Sequence, residues 1–250
     1  MLETHEEVCM IRFISSQSHN QFIEHGRFMI ESFQKAFPNQ TLNLYTEDFI
    51  KVKITNKYQD VNIIDLKSTG DIEYQKFQED KTILNPNRTK RFAHKAFAVM
   101  DMMKQHNDGL LVWIDCDVLF KKPVPLKWIE DLVGDNLSAH LGLIWKGIYG
   151  AETGFFILNL AHPLKDTFLE EYRQSYVNRD FEGLRKSFDN DIYGRTIKRV
   201  QAPYNELSTN LDLVSPFNRS CLKEYMYHYK AHHKERMLNT GAEVVAKQQI

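Results

Sequence analysis

The chain has 250 residues, of which 42% are hydrophobic and 26% charged, and its formal net charge is −1. That length buries a sizeable core without disulfides or a structural metal, and the composition excludes wholesale disorder. The near-neutral balance lacks the strongly basic footprint of a nucleic-acid-binding domain, so no nucleic-acid partner is expected.

The N-terminus, Met1 to Glu7, is acidic and leads into no signal-type apolar stretch, and no apolar run approaches the ~20 residues that a membrane span needs. Cys9, Cys116 and Cys221 are odd in number and fit no metal-knuckle spacing. These features predict a reduced, cytoplasmic protein with no transmembrane segment. Val8 to Ser15 is apolar and β-prone and reads as a buried first strand. Ser18-His19-Asn20-Gln21 has the form of a capping box, and Phe22, Gly26, Met29, Phe33 and Phe37 then recur at helical spacing until Pro38-Asn39. Leu42 to Tyr45 and Val61 to Asp65 read as short strands. Asn85 to Lys104 reads as a second helix with Phe92, Ala96, Val99 and Met103 on its apolar face, ended by Asn107-Asp108-Gly109. Leu110 to Ile114 is an unbroken apolar run, the mark of a central strand buried on both faces. Phe155 to Leu160 reads as a strand and Pro163 to Tyr176 as a helix. Strands alternating with helices predict an α/β domain with a mostly parallel central sheet flanked by helices.

Trp113-Ile114-Asp115-Cys116-Asp117-Val118 carries the most chemistry. Ligands of open α/β sheets bind at the carboxyl ends of strands. In extended chain, residues i and i+2 face the same way, so Asp115 and Asp117 converge there while Cys116 points into the fold. Two adjacent carboxylates repel unless a cation sits between them, and hard oxygens suit Mn²⁺ or Mg²⁺. Arg88, Arg91 and Lys95 share one face of the preceding helix, where they can grip a phosphate or form a solvated stripe. Tyr227-His228-Tyr229-Lys230-Ala231-His232-His233-Lys234 offers imidazoles that could complete a carboxylate metal site and lysines that would suit a diphosphate. Spacing alone does not choose among His228, His232 and His233.

Together these segments resemble the GT-A glycosyltransferases, especially the retaining family 8 and related bacterial and phage-type enzymes. Arg91-Phe92-Ala93-His94-Lys95-Ala96-Phe97-Ala98 is similar to the helix these families place before the D-x-D strand, and Asp115-Cys116-Asp117 to the D-x-D itself. Glu152-Thr153-Gly154-Phe155-Phe156-Ile157-Leu158-Asn159 resembles their acceptor-side strand. Asp189-Asn190-Asp191-Ile192 resembles the segment under the donor sugar, with Asn190 where glutamine is usual. His228-Tyr229-Lys230 resembles the C-terminal metal and diphosphate motif, with Ala231 where glycine is expected.

The resemblance implies a single GT-A domain over residues 1–250. Residues 1–120 would form the nucleotide-sugar-binding half, and 121–250 an irregular acceptor-side half with a C-terminal metal and diphosphate loop. It implies transfer of a sugar from a nucleotide diphosphate sugar, most often a UDP-sugar, to a hydroxyl acceptor on a glycan, protein or other molecule. Asp115, Asp117 and His228 would hold Mn²⁺ or Mg²⁺, and Lys230 with Arg91 or Lys95 would add positive charge at the diphosphate. Ser15 and Ser16 would meet the base or ribose. In a retaining reaction the leaving phosphate takes the acceptor proton while Asp189 and Asn190 steady the sugar; an inverting one needs a carboxylate base, Glu152 or Asp191. Two other readings compete. A haloacid-dehalogenase-type phosphatase also carries D-x-D after an apolar strand, but Leu119 stands where its motif wants Thr or Val, and Gly134-Asp135 lacks its later second acid. A non-catalytic sugar-nucleotide or glycan-binding module would carry the same groups without turnover.

Overall fold

The computed structural model describes residues 9–47, 58, 60–83, 86–145, 148–181, 189–209 and 216–229. The first strand, β1 (Ile11–Gln17), feeds a helical stretch that opens with α1 (His19–Gln21), passes through a π-helical segment (Phe22–Gly26) and continues as α2 (Arg27–Ala36). The expected capping box is present: the Ser18 hydroxyl accepts from the Gln21 backbone N–H, and the Gln21 side chain accepts from the Ser18 N–H. β2 (Leu42–Thr46) and β3 (Val61–Asp65) follow, then α3 (Ile72–Glu79), α4 (Pro86–Gln105), β4 (Leu110–Ile114) and β5 (Val118–Phe120). The second half adds α5 (Leu126–Val133), β6 (Ser138–Trp145), β7 (Ile148–Asn159), α6 (Lys165–Val177), α7 (Asp189–Val200), β8 (Tyr204–Glu206) and β9 (Met226–His228).

The main sheet has seven strands in the order β3-β2-β1-β4-β7-β6-β8. β7 alone runs against the rest, pairing antiparallel with both β4 and β6, so the sheet is mostly parallel as the sequence predicts. β5 and β9 form a separate antiparallel pair. The order reverses at β1, with β2 on one side and β4 on the other, which makes the carboxyl ends of β1 and β4 the binding crevice of this topology.

β4 shows why an unbroken apolar run belongs at the centre. Val112 and Ile114 enter the core on the α2 and α5 face, where Phe13 meets Phe33 and Phe37 at 5.1 and 4.5 Å between ring centroids. Leu111 and Trp113 enter the core on the α4, α6 and α7 face, with Ala96, Val99, Phe168 and Tyr193. The turn before β4 uses Gly109 at φ 72°, and a Cβ there would stand 2.1 Å from the Met10 carbonyl oxygen. Tyr172, Tyr176, Phe181 and Tyr193 are core residues rather than an exposed stacking surface. No described helix is long and apolar enough to cross a membrane.

Candidate active site

The two acids follow β4, and they converge differently from the way the sequence suggests. Residues 115–117 are not extended. They form a turn closed by the Val118 N–H donating to the Asp115 carbonyl at 3.0 Å, and that turn folds both carboxylates to one side. Cys116 is buried, as expected. Because the turn opens directly into β5, the β5–β9 pairing sets Val118 opposite His228, and the Tyr229 N–H donates to the Asp117 carbonyl at 3.0 Å. His228 Nε2 therefore lies 3.1 Å from Asp117 Oδ1. Ligand atoms of Asp115, Asp117 and His228 all lie within 4.8 Å of one another, the only such group of three among the described residues.

A strand interruption supplies the rest. Along β7 and β6, Phe156 pairs with His140 but Glu152 already pairs with Leu141, so Thr153, Gly154 and Phe155 have no partner on β6. Such bulges re-aim side chains beside functional sites. The backbone groups around this gap serve the site. The Gly154 carbonyl accepts from the Asp115 N–H at 2.9 Å, the Thr153 carbonyl accepts from Lys95 Nζ at 2.9 Å, and the Gly154 N–H donates to Glu152 Oε1 at 3.2 Å. Glu152 and Thr153 then face opposite ways. Glu152 Oε1 stands 3.6 Å from His228 Nδ1, while the Thr153 hydroxyl donates to Asp189 Oδ2 at 2.5 Å.

Lys95 is the electrostatic centre. Its ammonium lies 2.7 Å from Asp115 Oδ1 and 2.9 Å from Asp189 Oδ2, and its side chain is almost fully buried. Burial alone would lower its pKa, but the two carboxylates outweigh that and hold it above its ordinary value. Burial pushes Asp115 above the usual carboxylate range, with Asp117 and Asp189 adding to the rise and Lys95 and His228 opposing it. Burial likewise works against a charged His228, yet Asp117, Glu152 and Asp115 together raise its pKa above the ordinary value. The site thus holds clustered acids that need positive charge, and two carboxylates with one imidazole suit Mn²⁺ or Mg²⁺.

Of the other expected residues, Asp189 and Asp191 sit in the first turn of α7, where the helix dipole favours acids. Asn190 follows Asp189, and its side-chain oxygen is buried without a hydrogen-bond partner. Asp191 lies near Gly150, whose hypothetical Cβ would be 3.9 Å from Asp191 Oδ1. Arg91 is exposed, one turn before the buried Lys95 on the same face. The Arg88 side chain, Lys230, His232 and His233 lie outside the described residues. Ser15 and Ser16 lie just before the last residue of β1, both buried, and Ser15 Oγ has no hydrogen-bond partner. Three further residues escaped the sequence reading. Trp113 donates its indole N–H to Asp115 Oδ1 at 2.7 Å, which its i−2 position signalled. Thr153 links Lys95 to Asp189 from inside the Glu-Thr-Gly motif. Gln17 is fully buried at the end of β1, with both amide atoms unpartnered.

No family model matches the chain, and no curated relative matches it. Solved structures do. The apo form of WbbM, a bifunctional glycosyltransferase, is similar with a TM-score of 0.55 at 12% identity, over 97% of this chain and 52% of that one, so the chain spans about half of WbbM. The galactosyltransferase LgtC, solved with donor and acceptor sugar analogues, is similar with a TM-score of 0.54 at 12% identity, over 94% and 96% of the two chains. Apo mouse xyloside xylosyltransferase 1 is similar with a TM-score of 0.58 at 13% identity, over 89% and 99%. The chain has the α/β fold of these GT-A glycosyltransferases, a seven-stranded sheet flanked by helices.

Proposed function

We propose that this chain is a metal-dependent glycosyltransferase that moves a sugar from a nucleotide diphosphate sugar, with a UDP-sugar favoured, to a hydroxyl acceptor. The observation that carries the reading is the Asp115, Asp117 and His228 cluster at the carboxyl end of β4, joined through Asp115 to Lys95 and Asp189. Those three residues would hold Mn²⁺ or Mg²⁺, which when bound acts as a Lewis acid and neutralises charge on the leaving diphosphate.

Within this reading the protein's own groups divide the work. Trp113 and Lys95 fix one oxygen of Asp115 and so aim the carboxylate. Lys95 and Thr153 hold Asp189 against the floor of the site, from which Asp189 and Asn190 would steady the donor sugar. Arg91, exposed on the helix face that carries Lys95, supplies charge toward the diphosphate, and Lys230 would add to it. Retention of configuration is favoured because Glu152 faces His228 rather than standing free as a base. The leaving phosphate oxygen would then take the acceptor proton. Neither competing reading gains support: the similar structures named above are glycosyltransferases, not phosphatases or binding modules.

The test is nucleotide release from a panel of nucleotide sugars, with Mn²⁺ and with EDTA. The enzyme proposed here releases nucleoside diphosphate only with metal. Binding without release would leave a binding module, and phosphate release from simple monoesters would support the phosphatase.

A further inference from the structure

We propose that Glu152 is a positioning residue for the metal ligand His228, fixing its ring orientation and its tautomer. This rests on the metal-site reading above. An imidazole that ligates through one nitrogen must carry its proton on the other, and the partner of that second nitrogen decides which tautomer is present. Here the two nitrogens face two different acids. Nε2 faces Asp117 Oδ1 at 3.1 Å, inside the cluster, and Nδ1 faces Glu152 Oε1 at 3.6 Å, outside it. Without an ion, Nε2 shares a hydrogen bond with Asp117 and Nδ1 makes none. An ion held by Asp117 and Nε2 would replace that bond. The Glu152 carboxylate then favours the proton on Nδ1 and leaves the Nε2 lone pair for the ion.

The ring has little freedom to turn away. Phe217 packs on it at 4.7 Å between centroids, and Gly154 lies so close that a Cβ there would meet Cε1 at 2.6 Å and Nδ1 at 2.9 Å. Glu152 is itself held: it is 7% exposed, and its Oε1 accepts the Gly154 N–H. The bulge that aims Thr153 at Lys95 is what turns Glu152 toward His228, so the carboxylate that a sequence reading offers as a reaction base serves the histidine instead.

Mn²⁺ binding to the purified protein, followed by the loss of the free-ion electron paramagnetic resonance signal, tests this without any turnover. Glu152→Gln keeps the volume and an acceptor for the Gly154 N–H but removes the negative charge. We expect it to weaken Mn²⁺ binding by about 10-fold or more, and Glu152→Ala by up to about 100-fold. Glu152→Asp should recover part of the loss, and the melting temperatures without metal should separate folding defects from binding defects. Wild-type affinity in Glu152→Gln would overturn the positioning role and leave the metal site standing. Failure of the wild type to bind Mn²⁺ would overturn both.

Discussion

Lys95 Nζ lies 2.7 Å from Asp115 Oδ1, so the first acid of the D-x-D pair is ion-paired by the fold itself. The same ammonium holds Asp189 at 2.9 Å. Removing it leaves the buried Asp189 and the partly buried Asp115 without their cation. Breaking a buried pair in this way typically costs about 3–5 kcal/mol. We expect Lys95→Met to lower the urea midpoint accordingly and to abolish turnover. A Lys95→Met protein as stable as the wild type would show that these contacts contribute nothing to the fold.

Arg91 should behave in the opposite way. It is exposed, so Arg91→Ala should change stability by less than about 0.5 kcal/mol. If it serves the diphosphate, the rate should fall at least about 10-fold, equivalent to about 1.4 kcal/mol of lost transition-state binding. Lys90 is a poor control because its ammonium donates to the Gln78 carbonyl at the end of α3. Lys127 on α5, exposed and paired with Glu130 and Asp131 on its own helix, is a better one. Equal small effects at Arg91 and Lys127 would return Arg91 to the solvated surface.

Divalent metal should be required. EDTA should abolish nucleotide release and Mn²⁺ restore it. Asp117→Asn removes a ligand charge and almost no volume, so it should keep the wild-type melting curve while losing about 10²–10³-fold in rate. Full activity in chelator would refute the ion.

Gly154→Ala puts a methyl group where His228 Cε1 and Nδ1 now stand. The ring must shift, and with it Nε2. We expect weaker Mn²⁺ binding measured by calorimetry, together with a loss of about 1–3 kcal/mol in stability from overpacking the buried ring. Unchanged affinity would mean that the ring relaxes without leaving the site.

A fifth expectation concerns pH and a histidine away from this site. His140 is fully buried on β6, accepts or donates at Ser138 Oγ over 3.0 Å, and is driven by burial down to a pKa of about 3. Unfolded, it titrates near 6.5. Between those values the unfolded chain binds a proton that the folded chain does not, so stability falls as pH drops from about 6.5 toward 3. The contribution reaches about 1.4 kcal/mol per pH unit. Urea unfolding of wild type and His140→Gln at pH 7, 6, 5 and 4 measures it. The slope should be shallower in the variant; parallel slopes would refute the assignment.

How far these features could be read in advance depended on whether the signal was local. The capping box at Ser18 and Gln21 and the buried strand Leu110–Ile114 are local, and both are present as expected. α3, α5, α7, β5, β6, β8 and β9 were not anticipated. Three of them, β5, β8 and β9, are three-residue strands defined by distant partners rather than by their own pattern. β7 was expected from Phe155, but it begins at Ile148, because the stretch around Thr153 and Gly154 breaks the alternation. In the site, the acids and His228 were visible as motifs. The role of Lys95 was not, since a basic stripe on a helix gives no sign that one member turns inward to meet acids on β4 and α7.

The interruption of β7 also bears on how such a site can change over generations. Register is pinned on one side by the pairing of Ile114 with Phe155 through Leu110 with Asn159, and on the other by Leu141 with Glu152 through Trp145 with Ile148. The residues between are released from the β6 ladder, so a change among them does not slip a strand and expose its core face. A change at Glu152, Thr153 or Gly154 therefore registers in the site that these residues hold, while the sheet that carries them stays under separate selection.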